Sequence, residues 1–247
     1  MWEDVILFTA VGFAAQLIDG ALGMAYGLSA TTVLLSLGTA PAMASASVHA
    51  AEVFTTAASG LSHWRLGNVD PKLVVRLAVP GMIGGAVGAY LLASLPGESM
   101  RPAVAVYLLG MGALIVWRAV RRPFREKAPR HVVPLGLFGG FVDAVGGGGW
   151  GPLVASTLVG RGAVPRMAIG SVNLAEFFVT LTVSGTFLAT IGLELMPVIV
   201  GLVLGGVVAA PFAALATRHI PDRPLMLLVG AVIVLLSLRE LMGWVLA

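Results

Sequence analysis

The chain has 247 residues, 58% of them hydrophobic and 11% charged, with a mean hydropathy of +0.96 and a net charge of +3. A soluble domain carries about 25% charged residues, so a soluble globule is excluded, and the absence of cysteine excludes disulfides, thiolate metal sites and cysteine catalysis. The basic balance does not point to nucleic acid, because Lys and Arg sit in short loops between apolar runs, where they orient a chain in a membrane.

Apolar runs of about the length needed to cross a bilayer as a helix recur at 4–37, 42–62, 73–95, 101–120, 132–160, 167–190, 195–217 and 224–246. The expected fold class is an all-α integral membrane protein, since the short strict alternation of a β-barrel is missing. Glu3 and Asp4 stand where a signal peptide would be basic, and no cleavage site follows, so the first run is expected to be retained. The runs 4–37 and 132–160 are too long for one simple span, and both are interrupted by clustered glycines.

Those two runs carry the same stretch. Gly12 to Gly27, GFAAQLIDGALGMAYG, aligns with Gly136 to Gly151, GLFGGFVDAVGGGGWG, at a constant offset of 124 residues. Gly12 matches Gly136, Asp19 matches Asp143, Gly23 matches Gly147 and Gly27 matches Gly151. Gly38 and Pro41 then match Gly162 and Pro165, and Ser47-Val48-His49-Ala50-Ala51-Glu52 matches Ser171-Val172-Asn173-Leu174-Ala175-Glu176. Phe54 and Thr56 match Phe178 and Thr180; after one inserted residue Ser59-Gly60 matches Ser184-Gly185, and Gly81 and Gly84-Gly85 pair with Gly201 and Gly205-Gly206. The expected organisation is a first half at 1–117, a basic cytoplasmic linker at 118–131 and a homologous second half at 132–247.

The positive-inside rule tests the orientation of the halves. If each long run folds back at its glycines, all but Arg101 and Arg239 of the 15 Lys and Arg residues fall on one side. Each half then keeps three full spans, the halves are inverted, and both termini lie outside the cytoplasm. An eight-span arrangement, in which each long run crosses once, obeys the rule less strictly and stays open.

Four consecutive glycines, Gly146 to Gly149, make a poor helix interior and are expected to break a helix near mid-membrane. Half-helix N-termini at such a break present free N–H groups to an anion. By contrast, the pairs Gly81/Gly85, Gly84/Gly88 and Gly201/Gly205 read as helix-packing sites. Asp19, Glu52, Asp143 and Glu176 stand well inside apolar runs, where carboxylates face a cavity or a partner. Ser45, His49, Glu52 and Thr56 share one helical face, matched by Asn173, Glu176 and Thr180, with Ser47 and Ser171 to the side.

The candidate substrate-binding set is Gln16, Asp19, Gly20, Gly23, Ser47, His49, Glu52, Asp143, Gly146, Gly147, Gly148, Ser171, Asn173 and Glu176. His49, Glu52 and Glu176 are the candidates for moving a proton, with His49 and Glu52 close enough along the helix to hydrogen-bond. Four acids repel an anion, which is relieved if some are protonated or bonded to backbone N–H groups, if a cation shares the site, or if the substrate is a cation. No Walker loop, GxSxG elbow or TVGYG-like filter occurs. His49-x-x-Glu52 is at most half a metal site. The expectation is a carrier rather than an enzyme, with no metal or cofactor, working in the lipid bilayer on a small molecule, and compatible with homo-oligomer formation.

The stretches FAAQLIDGALGMAYG, PAMASASVHAAEVFTTAASGLSHWRLGNVD and PGMIGGAVGA, with GFVDAVGGGGWGP and GSVNLAEFFVT in the second half, resemble the TauE/SafE family of sulfite-exporter-like membrane proteins. The resemblance covers residues from about 8 to 240. It implies plasma-membrane transport, as efflux, of small sulfur-containing anions such as sulfite or sulfonates, with no bound cofactor. A cation or metal-ion carrier using the intramembrane carboxylates is the alternative.

Overall fold

The computed structural model describes residues 2–22, 24, 26–120, 131–155, 157–158, 161, 163–192, 195–216 and 222–246. Among these the regular structure is helical. The helices are α1 (Trp2–Leu22), α2 (Tyr26–Ser36), α3 (Pro41–Arg65), α4 (Pro71–Ser94), α5 (Gly97–Val120), α6 (Val132–Gly146), a π-turn (Gly151–Ala155), α7 (Pro165–Thr190), α8 (Met196–Ala216) and α9 (Asp222–Leu246). The elements follow the apolar runs, and the two overlong runs are each divided in two at their glycines. Most of the basic linker, 121–130, lies outside the described residues.

Local chemistry sets the starts. Pro41, Pro71 and Pro165 open their helices, where the missing proline N–H leaves nothing unsatisfied. Asp70 caps α4 by accepting from the amides of Lys72 and Leu73. Four helices are long and apolar enough to cross a membrane: Pro71–Ser94, Ser99–Val120, Met167–Thr190 and Met226–Val245. Val75, Val79, Ile83, Val87 and Tyr90 form an exposed stripe along α4, the face a lipid-contacting helix presents. The chain is a multi-pass membrane protein.

The packing is intertwined. α1 packs mainly on α8, α6 on α4, α3 on α7, and α5 on α9. Small residues permit the close approach. Gly201 lies on Val5 and Phe8 and Gly205 on Thr9 and Phe13, so α1 and α8 run parallel. Gly136 lies on Leu77, Gly140 on Gly81 and Gly88 on Phe141, so α4 and α6 run parallel as well. Gly60 meets Leu174 whereas Gly170 meets His63 and Asn68, so α3 and α7 are antiparallel. Gly112 meets Ile233 whereas Gly230 meets Val116, so α5 and α9 are also antiparallel. All three glycine pairs read from the sequence as packing sites serve that purpose.

Two buried clusters result. One gathers Leu77, Trp150, Leu158, Val179 and Phe187; the other gathers Tyr26, Leu28, Leu108, Leu202 and Ile233. Trp150, which follows the second break, belongs to the first cluster, and Tyr26, which follows the first break, to the second.

Candidate functional site

Each break is closed by its own acid. Asp19 Oδ1 accepts the amide N–H of Tyr26, the first residue of α2, at 3.3 Å. Asp143 Oδ1 accepts the amide N–H of Trp150 at 2.9 Å. Both bonds span seven positions. The physical reason is common: a helix start leaves amides without intrahelical acceptors, and in hydrocarbon no water replaces them. The second break is additionally shaped by glycine. Gly147, Gly148 and Gly149 have φ of 67°, 139° and 147°, and the Asp143 carbonyl receives the N–H groups of Gly147 and Gly148.

The breaks touch. Gly27 lies against Gly148 Cα and the Gly147 carbonyl. The Thr31 hydroxyl donates to the Gly147 carbonyl, Tyr107 donates to the Gly148 carbonyl at 2.8 Å, and Ser45 Oγ donates to the Ala144 carbonyl at 2.6 Å. Carbonyls released by the break are thus met by hydroxyls from α2, α3 and α5. Thr31→Val keeps the shape and removes one donor, so it is expected to lower unfolding free energy by about 1–3 kcal/mol, measured by denaturant titration of the purified protein.

His49 is fully buried and faces Asp143 rather than Glu52. Its Nδ1 lies 2.8 Å from the Ser45 carbonyl, which only accepts, so Nδ1 carries hydrogen. Its Nε2 lies 3.1 Å from Asp143 Oδ2. The contact is therefore an imidazolium–carboxylate pair or a neutral imidazole receiving a proton from Asp143. Either way it is neutral overall and holds one exchangeable proton. The expected His49–Glu52 hydrogen bond does not form because both ring nitrogens are taken.

A small cavity, with room for about one water, opens beside the breaks. Asp19, Tyr26, Glu52, Thr55, Thr56, Ser59, Asn173 and Glu176 line it. Glu52 Oε2 is buried without a hydrogen-bond partner, and Glu52 Oε1 lies against Gly27. Thr56 donates to the Glu52 carbonyl at 2.5 Å, and Asn173 Nδ2 donates to Ser59 Oγ at 2.9 Å, tying α3 to α7. Among the described residues, no Lys or Arg lines this space and no cluster of three or more His, Asp or Glu has metal-binding geometry.

Of the residues singled out in the sequence, Asp19, Glu52, Asn173 and Glu176 meet at the cavity, and His49 and Asp143 stand behind it. Gln16 is buried with Oε1 unpartnered but is not among the lining residues. Ser47 and Ser171 serve the backbone instead. Ser47 Oγ donates to the Met43 carbonyl at 2.8 Å, and Ser171 Oγ accepts the Asp70 amide at 2.8 Å. Gly146 packs under the Tyr107 ring, Gly147 under Thr31, and Gly148 on Gly27. Gly20 lies in the last turn of α1, and Gly23 lies outside the described residues.

Sequence reasoning missed Tyr26, Trp150, Thr31, Tyr107 and Ser59 as parts of the site. Tyr26 and Trp150 share the 124-residue offset of the aspartates and could have been found by it. Tyr107 sits in an otherwise apolar helix with no sequence sign of its partner.

A family model described as "Sulfite exporter TauE/SafE" matches residues 8–240. The chain is also similar to "Probable membrane transporter protein YtnM" of Bacillus subtilis (strain 168), at 42% identity over 256 residues, covering 98% of this chain and 85% of that one. No solved structure matches it significantly.

Proposed function

The chain belongs to the sulfite exporter TauE/SafE family of membrane transporters, and from that premise we propose that it is a secondary carrier for a small sulfur-containing anion, sulfite or a sulfonate, exported across the plasma membrane with proton coupling. The observation that carries this reading is the convergence of a helix N-terminus, Tyr26–Gly27 of α2, with Glu52 and Glu176 on one small cavity at the meeting of two helix breaks. The helix start offers amides to an anion, and the carboxylates offer a place for protons that offset its charge.

The reading includes an inverted repeat of two halves, 1–117 and 132–247. Its support is directional. α3 and α7 are equivalent in the sequence repeat and touch antiparallel, as do α5 and α9. Arg101, at the start of α5, donates to the Leu35 carbonyl at the end of α2, whereas Arg118, at the other end of α5, donates to the Pro152 carbonyl. The two returning arms therefore approach opposite ends of one helix. α2, with 11 residues, is about 16 Å long, too short for a bilayer core of about 30 Å. A fold-back at each break fits these facts.

The main test is uptake into proteoliposomes. A pH step should drive sulfite or sulfonate movement, and failure of every sulfur oxyanion and sulfonate to move would sink the reading. Access is tested separately. The chain has no cysteine, so Ser59→Cys gives a clean single thiol on the cavity wall. A small charged methanethiosulfonate should modify it from the linker side and not from the other, and substrate anion should slow the modification. A second reading, a cation carrier, is favoured by one observation: three carboxylates, Asp19, Glu52 and Glu176, face the cavity with no Lys or Arg among the described residues that line it. Thermal stabilisation by a divalent cation, lost in Glu52→Gln, would select it.

A further inference from the structure

Helix α2 opens onto the cavity at Tyr26, and its first amides have no acceptor within the helix. Both leading residues already have a carboxylate of the protein beside them. Tyr26 N–H donates to Asp19 Oδ1 at 3.3 Å, and Glu52 Oε1 lies against Gly27. Glu52 thus occupies the position that an anion would take at the helix start. It does so incompletely. Its Oε2 has no hydrogen-bond partner, although the side chain is only 3% exposed and lines the cavity. A buried carboxylate oxygen without a donor is unfavourable unless it gains a proton or a cation. The groups that face Glu52 are Asp19 of α1, Tyr26 of α2, His49 on its own helix, Asp143 of α6 and Glu176 of α7. His49 is the base in this set, and its Nε2 is committed to Asp143.

We propose that Glu52 and the substrate anion alternate as the acceptor at the Gly27 amide. A proton from solution forms an O–H bond on the Glu52 carboxylate, the carboxyl withdraws from Gly27, and a substrate oxygen accepts the Gly27 N–H. One negative charge is neutralised as one arrives. A proton and an anion therefore bind together, and carriage of a monoanion is electroneutral. Mutual exclusion at one amide also resolves the repulsion between the acids and their cargo. This inference rests on the anion-carrier reading.

The test uses the purified full chain and methanesulfonate, whose charge does not change across the acidic to neutral range. Calorimetry in buffers of different ionisation enthalpy should show uptake of one proton per anion bound, and affinity should fall by about tenfold per pH unit on the alkaline side. In Glu52→Gln both the uptake and the slope should vanish. In the wild type, infrared difference spectra should show a protonated carboxyl band rising when methanesulfonate binds. That measurement decides the matter even if the variant fails to fold, because an unchanged or falling band overturns the exchange. Glu52→Gln that keeps the wild-type slope and proton uptake overturns the exchange and leaves the carrier reading intact. A wild type that binds neither sulfonate nor sulfite at any pH overturns both.

Discussion

Asp143→Ala is expected to be among the most damaging single substitutions, lowering unfolding free energy by about 3–5 kcal/mol, whereas Asp143→Asn should lose about 1 kcal/mol. The alanine variant removes two bonds at once. It strands the Trp150 amide just beyond the second break, and it strands His49 Nε2 in a fully buried position. The asparagine variant can restore both. Its carbonyl oxygen accepts from Trp150, and its NH₂ donates to Nε2 while Nδ1–H keeps its bond to the Ser45 carbonyl. The comparison separates shape from charge, because asparagine keeps the hydrogen-bond pattern and removes the exchangeable proton. Unfolding of the purified variants in denaturant measures the ordering. Equal losses in Ala and Asn would show that the charge of the pair, rather than its bonding, stabilises the break. Asp19→Ala is expected to cost less, since Asp19 makes a longer bond to its amide, at 3.3 Å against 2.9 Å, and lines the cavity.

The same residues show what a sequence reveals about this kind of fold. The breaks were legible because aspartate, rare inside an apolar run, recurs at one fixed offset together with the glycines around it. Charge argued for inverted halves, because loop arginines report which side of the membrane a helix end occupies, but it did not say which helices touch. Partners were harder to see. Helical periodicity put His49 beside Glu52, one turn away, yet His49 bonds Asp143, ninety-four positions distant. Periodicity describes one helix, whereas the end of α6 brings an acid from a distant element onto that helix. Ser47 and Ser171 are polar and repeat-related, which makes them resemble site residues. Their hydroxyls instead serve nearby backbone groups, a use that leaves no mark in spacing. The role of the aspartates was also only half visible: their position follows from the repeat, but the amides they cap lie seven residues on and belong to Tyr26 and Trp150.

Gly148→Ala should come close to abolishing the fold, with a loss of about 3 kcal/mol or more, while Gly185→Ala should be neutral or stabilising by up to about 1 kcal/mol. The contrast is geometric. Gly148 has φ of 139°, a region that residues with a Cβ avoid. A Cβ there would also strike the Gly27 carbonyl carbon and the Leu28 amide, and these are backbone atoms of the other break that have no rotamer with which to escape. Gly185 lies within α7 with nothing within 4 Å of an added Cβ, so alanine adds only helix propensity. Thermal melting of the two variants in detergent measures both. If Gly148→Ala melted like the wild type, the contact between the breaks would be dispensable, and the Gly27 amide would need some other means of being held at the cavity. If it loses stability while Thr31→Val loses less, the order follows from what each change does: valine removes one donor from a contact that survives, whereas alanine forces the two backbones apart. The separation of Gly27 from Gly148 then sets where the start of α2 lies, and with it whether Glu52 can touch that helix start.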